Sequence, residues 1–168
     1  LMTKSRRYTI PSGILLIYFI SVLAIHFSAP DRVIGPDEFP EKCPENSLNC
    51  SIISSNSHRS EGLTEIRLNS SLEEVMQEVN TWINSQPRTE IIGNWYPEQT
   101  HSVFRSFTFR FPDDFLVRGY CDTGQTVLEV YSKSRLGISD IGVNSQRVMD
   151  FTKHMIAVEM ATTECVTD

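Results

Sequence analysis

From Ile14 to Phe27 the chain reads ILLIYFISVLAIHF, with no formal charge apart from a protonatable His26. Extended back to Tyr8, the run reaches about 20 residues, the length an α-helix needs to cross a bilayer. Lys4, Arg6 and Arg7 flank it on one side, and Asp31 with Arg32 on the other. The positive-inside bias therefore predicts a cytoplasmic N-terminal flank and everything after residue 28 on the extracytoplasmic side. A cleaved signal peptide has the same basic and apolar order, and Val22-Leu23-Ala24 is a passable cleavage site. The apolar run continues past Ala24, however, and Pro30 blocks cleavage after Ala29, so residues 1–28 read as a single-pass membrane anchor contacting lipid through residues 8–28. A buried core helix is the third reading, and it alone does not export the domain.

At 168 residues the chain has room for one domain beside this segment. Its formal net charge of −6 is unevenly spread. Residues 31–168 carry 12 basic groups against all 21 acidic ones. That region lacks the Lys/Arg excess that phosphate-backbone binding requires, so nucleic acid is not expected as a partner.

The stretch 29–62 is rich in Pro, Asp, Glu, Ser and Asn, and neither helical nor strand period is visible in it. It is expected to be an extended tether. Cys43 and Cys50 enclose the turn-rich CPENSLNC and are the first choice for a disulfide, with Cys121 and Cys165 left either paired or as buried thiols. Cys-x6-Cys is the wrong spacing for a zinc knuckle and no histidine stands at ligand distance from it, so no metal and no cofactor are expected. Asn49-Cys50-Ser51 and Asn69-Ser70-Ser71 fit the glycosylation triplet, which matters only in a eukaryotic secretory pathway.

Residues 63–168 read as an α+β domain: helix, four-stranded antiparallel sheet, helix. Leu72, Val75, Met76, Val79, Trp82 and Ile83 make one helical face, with Ser70 or Ser71 capping it and Pro87 ending it. The period then changes to two. Strands are expected at Thr89–Tyr96, at His101–Phe111 with Val103, Phe107, Phe109 and Phe111 on one face, at Phe115–Asp122 and at Thr126–Ser132. Pro112-Asp113-Asp114 and Thr123-Gly124 read as turns. A last helix runs from about Ser145 to Met160, with Val148, Phe151, Met155 and Val158 on its apolar face.

Between the last strand and that helix the chain reads Ser132-Lys133-Ser134-Arg135-Leu136-Gly137-Ile138-Ser139-Asp140-Ile141-Gly142-Val143-Asn144-Ser145-Gln146-Arg147. The run Ser134 to Val148 resembles the C-terminal signature of the family of unknown function DUF1499. Cys43-Pro44 through Ser47, Asn49 and Cys50 resembles its N-terminal signature, and Pro112-Asp113-Asp114-Phe115 its central aspartate pair. The resemblance spans residues 43 to about 155 and implies a small exported or membrane-anchored protein, with no established activity. Where many members have a basic residue after the Asn, this chain has Ser145, which implies a less cationic site.

Three functions follow from this loop. An architectural joint would have Asp140 or Asn144 cap the helix and Arg135 or Arg147 pair with Asp113, Asp114 or Asp140. A site for a partner or a small polar or anionic ligand would use free helix-start N–H groups with Arg135 and Arg147, together with Asp113, Asp114, Ser134, Ser139, Asp140 and Asn144. A hydrolase would use Asp113, Asp114 and Asp140 as acid and base. No nucleophile elbow, HExxH or P-loop accompanies those carboxylates, so a non-enzymatic binding domain is the expected function. A structural subunit of a membrane complex is a further alternative and predicts an exposed apolar patch. His101 and His154 are expected at or near the surface.

Overall fold

The computed structural model describes residues 6–137 and 139–166, which leaves Lys4 of the basic flank and Ile138 of the loop outside the described residues. The apolar run forms helix α1, Arg6–Ser28. Its stretch Pro11–Ser28 has a mean hydropathy of 1.8 and none of it is buried by the rest of the chain. Ile14, Leu15, Ile17, Phe19, Ile20 and Leu23 all face outward. A core helix would hide such a surface, so the helix is of the kind that a signal sequence or a single-pass anchor supplies.

The domain is α+β, with seven antiparallel strands rather than four. They are β1 (Cys50–Ser54), β2 (Ser57–Arg59), β3 (Ile66–Leu68), β4 (Thr89–Trp95), β5 (Gln99–Arg105), β6 (Pro112–Asp122) and β7 (Gln125–Ser134). The spatial order is β2-β1-β7-β6-β5-β4, and β3 pairs with the early part of β7 beside β1. The four expected strands are the meander β4 to β7. The three extra strands come from or adjoin the stretch expected to be a tether, which is therefore not one. Strand β1 is too short to show a period, and its CSIIS is buried at every residue because both of its faces are covered.

Helices α2 (Leu72–Ser85) and α3 (Val143–Ala157) lie on one face of the sheet. Ser71 caps α2 by accepting the Glu74 N–H, and the expected apolar stripe is buried. Trp82 sits at the centre of this layer, 5.0 Å from the Phe151 ring and 5.7 Å from Phe115. Gly119 of β6 allows α2 to approach closely, since a Cβ there would stand 2.7 Å from Leu72 Cδ1. The last helix keeps the expected contacts of Val148, Phe151 and Met155, while Val158 is its C-cap.

The other face is covered by residues 29–44, lying across the sheet as a strap. Phe39 and the Cys43–Cys50 disulfide pack there on Ile52, Leu116 and Tyr131. Gln99 Nε2 donates to the Ile34 carbonyl at 2.7 Å, and the Ile34 N–H donates to His101 Nδ1 at 3.0 Å. A second disulfide, Cys121–Cys165, ties the chain beyond α3 to the far end of β6. Of the two glycosylation triplets, Asn49 is buried with its side chain bonded and Asn69 is exposed.

Two local expectations fail for one reason. Strand β5 ends at Arg105, and Phe107, Phe109 and Phe111 occupy a hairpin tip outside both core clusters. Pro112-Asp113-Asp114 is then the start of β6, not a turn. Alternating phenylalanines carry the same period whether they face a core or project from a hairpin, so the pattern alone cannot separate the two.

The fold makes one discriminating prediction. Ile53→Ala deletes a fully buried side chain of the main core and should cost about 2 to 5 kcal/mol in chemical denaturation. A change within about 0.5 kcal/mol, as at an unpacked surface position, would restore the tether.

Candidate functional site

Because successive residues of a strand point to opposite faces, the neighbouring carboxylates of β6 cannot act together. Asp113 shares the helix-covered face with Phe115 and Val117 and accepts Arg147 Nη2 at 2.8 Å. Asp114 shares the strap-covered face with Leu116. Two separate clusters result.

On the helix face the hub is Asn144, only 1% exposed. Its Nδ2 donates to the Asn49 carbonyl at 3.0 Å, Ser134 Oγ at 3.0 Å and Asp140 Oδ2 at 2.6 Å, while its Oδ1 accepts from Ser132 Oγ and Arg147 Nη1. Asn49 in turn donates to the Gly137 carbonyl at 2.9 Å and accepts from Ser47. Asp140 caps α3, accepting the Gly142 N–H at 3.1 Å and the Asn144 N–H at 2.6 Å. Two of the helix-start N–H groups expected to be free for an anion are thus held by this carboxylate, and the Asp140 carbonyl accepts that of Val143. Arg147 also lies over the Phe104 ring at 4.4 Å.

On the strap face Arg135 is the hub. Its Nε and Nη2 grip Asp114, at 3.0 Å to Oδ2 and 2.7 Å to Oδ1, while Nη1 reaches the Pro30 carbonyl at 3.1 Å and Asp31 Oδ1 at 2.5 Å. Arg105 closes on the other oxygen of Asp31 at 3.1 Å. His101 is wholly buried, contrary to expectation. Since its Nδ1 accepts the Ile34 N–H, its Nε2 carries the proton and donates to Asp114 Oδ1 at 2.8 Å.

This geometry sets the charge states. Burial pushes the Asp114 carboxyl upward, but hydrogen bonds from His101 and Arg135 and the charge of Arg135 outweigh it, so its pKa falls below the usual 3.8. Asp31 is lowered in the same way: burial opposes ionisation, and Arg135 and Arg105 overcome it. Burial would lower Arg135, yet Asp114 and Asp31 raise it. Burial, then the charge of Asp114, pushes the Tyr131 phenol up to about 12.

Of the eight expected residues, Asp113, Ser134, Asp140, Asn144 and Arg147 meet in one network, Asp114 and Arg135 meet in the other, and Ser139 stands exposed beside the first. Asn49, Ser47, Ser132, His101 and Asp31 were missed. Asn49 and Ser47 lie inside the Cys43–Cys50 motif, where two short polar residues between disulfide partners are the signal that could have flagged them. The three signature motifs therefore converge through the Asn49–Asn144 bond and the Arg135 N–H, which donates to the Pro112 carbonyl at 3.1 Å.

Two clefts open beside the helix-face network. One of about 260 Å³ is lined by Asp113, Ser134, Ser139, Asp140 and Leu136. The other, of about 450 Å³, shares Asp113 and is lined by Trp82, Phe104, Phe107, Arg88 and Arg147. Arg88 is exposed, lies 5.4 Å over the Phe107 ring and has no carboxylate partner among the described residues. Among the described residues no three of His, Cys, Asp or Glu gather as a metal site.

The sequence profile of the family described as "Protein of unknown function (DUF1499)" matches residues 41–155. No curated protein matches the chain. Among solved structures it is similar to CalU16 from Micromonospora echinospora, at 14% identity and a TM-score of 0.40, covering 55% of this chain and 73% of that one.

The lowered pKa of Asp114 fixes the sign of a pH effect. Its stabilisation is complete above the unfolded-state pKa near 4 and is lost as pH falls through the lower folded-state value. Asp114→Asn strips the charged partner from Arg135 and should cost about 3 kcal/mol at pH 7. In melting curves from pH 7 to 2 the gap between wild type and variant should narrow below about pH 4. A gap of constant width across that range would show that Asp114 is not ionised in this network.

Proposed function

Since the chain belongs to the DUF1499 family of proteins of unknown function, its role has to be read from its own chemistry, and we propose a membrane-anchored, extracytoplasmic, non-catalytic domain that binds a small anionic or polar ligand. The anchor is supported by the outward-facing apolar surface of α1, and the extracytoplasmic side by two disulfides, which persist in oxidising compartments. The basic residues Lys4, Arg6 and Arg7 at the N-terminal end of the apolar run point the same way.

One observation carries the binding role: the larger cleft brings Arg88 and Arg147 together against the faces of Phe107 and Phe104. Guanidinium groups stacked on rings are held in place without losing their outward donors, which suits a carboxylate or phosphate with an apolar portion. Arg147 is engaged by Asp113, so Arg88 is the group left to meet the ligand's charge.

The hydrolytic alternative lacks comparable support. Asp113 and Asp114 face opposite sides of the sheet, Asp140 caps a helix, and each of the strand carboxylates is paired with an arginine. A general acid needs a carboxyl raised toward neutrality, and Asp114 is shifted the other way. The structural-subunit alternative predicts an exposed apolar patch, and the hairpin tip at Phe107, Phe109 and Phe111 is one.

The test is a melting curve of the full chain in detergent, titrated with inorganic phosphate and small carboxylates. An anion at 100 times its dissociation constant should stabilise wild type by about 2.7 kcal/mol. Arg88→Ala should abolish that shift while changing ligand-free stability by no more than about 0.5 kcal/mol, as expected for an exposed side chain. If no anion in the series raises the melting temperature, the ligand reading is wrong.

A further inference from the structure

The β5–β6 hairpin tip presents Phe107 at 79% exposure and Phe109 and Phe111 each at 40%. Three large aromatics on one short connection form an apolar projection that the core does not use. Two groups adjoin it, Arg88 at 5.4 Å from the Phe107 ring on the cleft side and Tyr18 on the side of α1. Tyr18 of α1 donates its hydroxyl to the Thr108 carbonyl at 2.9 Å, and its ring lies 6.2 Å from that of Phe109.

That contact fixes a depth. Tyr18 precedes Ser28 by ten residues, about 15 Å of helix, and the hydrocarbon core of a bilayer is about 30 Å thick. If α1 spans a membrane, the hairpin tip beside Tyr18 lies well below the headgroups of the outer leaflet. We propose that this hairpin tip is a second membrane-contacting element, with Phe107, Phe109 and Phe111 among the acyl chains of phospholipid next to α1. The inference rests on the anchor reading given above.

Two further features fit a lipid occupant. Irregular backbone is costly in hydrocarbon, and each polar group paired within the protein lowers that cost. In this tip the Ser106 N–H donates to the Phe111 carbonyl at 3.0 Å, the Phe111 N–H donates to Ser106 Oγ at 2.9 Å, and the Tyr18 hydroxyl serves the Thr108 carbonyl. The charges are placed at the right level as well. Arg105 and Arg110 line a cleft of about 260 Å³ against Val22, Leu23 and His26 of α1. Those helix residues lie only about 3 to 9 Å from Ser28 along the axis, where the long, exposed Arg110 side chain can reach lipid phosphates. Arg110 has no carboxylate partner among the described residues. Aromatic tips below and guanidinium groups above match the apolar and anionic zones of one leaflet.

All four native cysteines are disulfide-bonded, so one introduced cysteine can be labelled selectively. Full-length Phe107→Cys, Ile20→Cys and Thr123→Cys proteins, each spin-labelled and reconstituted in phosphatidylcholine vesicles, are compared for collision with oxygen, which concentrates in lipid, and with a water-soluble nickel complex. Thr123 is the reference for water, at the opposite end of β6 from the hairpin tip. Labels at residues 20 and 107 should favour oxygen several-fold more than the label at 123. If residue 20 is in lipid but residue 107 matches residue 123, hairpin insertion is overturned while the anchor stands. If both 20 and 107 are aqueous, the anchor reading fails and takes the inference with it. Shielding of residue 107 from both reagents would overturn it in favour of a protein partner on the tip.

Discussion

The grip of Arg135 on Asp114 and Asp31 is the interaction on which the arrangement of the chain depends. It joins three segments far apart in sequence: the residues just after α1, the start of β6 and the end of β7. A buried ion pair is seldom a net source of stability, because desolvating both charges offsets most of their attraction. Its consequence here is positional. Asp114 would be costly to bury without the guanidinium, and the exposed Asp31 supplies the second carboxylate that holds the start of the strap against it. His101 adds a directional check, since a neutral imidazole must accept from Ile34 and donate to Asp114 at the same time.

Once the strap is seated, the apolar helix is no longer attached by a free linker. Ala29 is buried and Pro30 is bonded to Arg135, immediately after Ser28 ends α1. A domain hung on thirty flexible residues would sample many orientations above a membrane. This one is held to its helix at the first residues that follow it. The clefts beside α3 and the aromatic hairpin consequently keep a defined relation to α1, which is what gives a depth argument for the hairpin any content.

How much of this was legible in the sequence varied with the kind of signal. Helix α2 was legible because its apolar spacing, capping serines and terminating proline agree. The meander was legible from alternation and short connections. Strands β1 and β3 were not, because CSIIS and IRL are too short to show a period and lie among turn formers. The strap was not, because proline-rich composition marks an absence of regular structure and says nothing about what its side chains touch. At the site, the residue types were right and their grouping was wrong. Asp113 and Asp114 are adjacent in sequence and were read as one turn, whereas strand geometry sends them to opposite faces. Asp31 and His101 could be found only through tertiary contacts with Arg135 and Ile34.

The central claim is that residues 29–44 are bound to the sheet through this network, and the Ile34 amide reports on it most directly, since its N–H donates to the ring of His101. Amide hydrogen exchange on the full chain at neutral pH should find Ile34 protected on the scale of the neighbouring sheet amides, and Arg135→Ala should release it. Exchange of Ile34 in the wild type at the rate of an unstructured peptide would contradict the account.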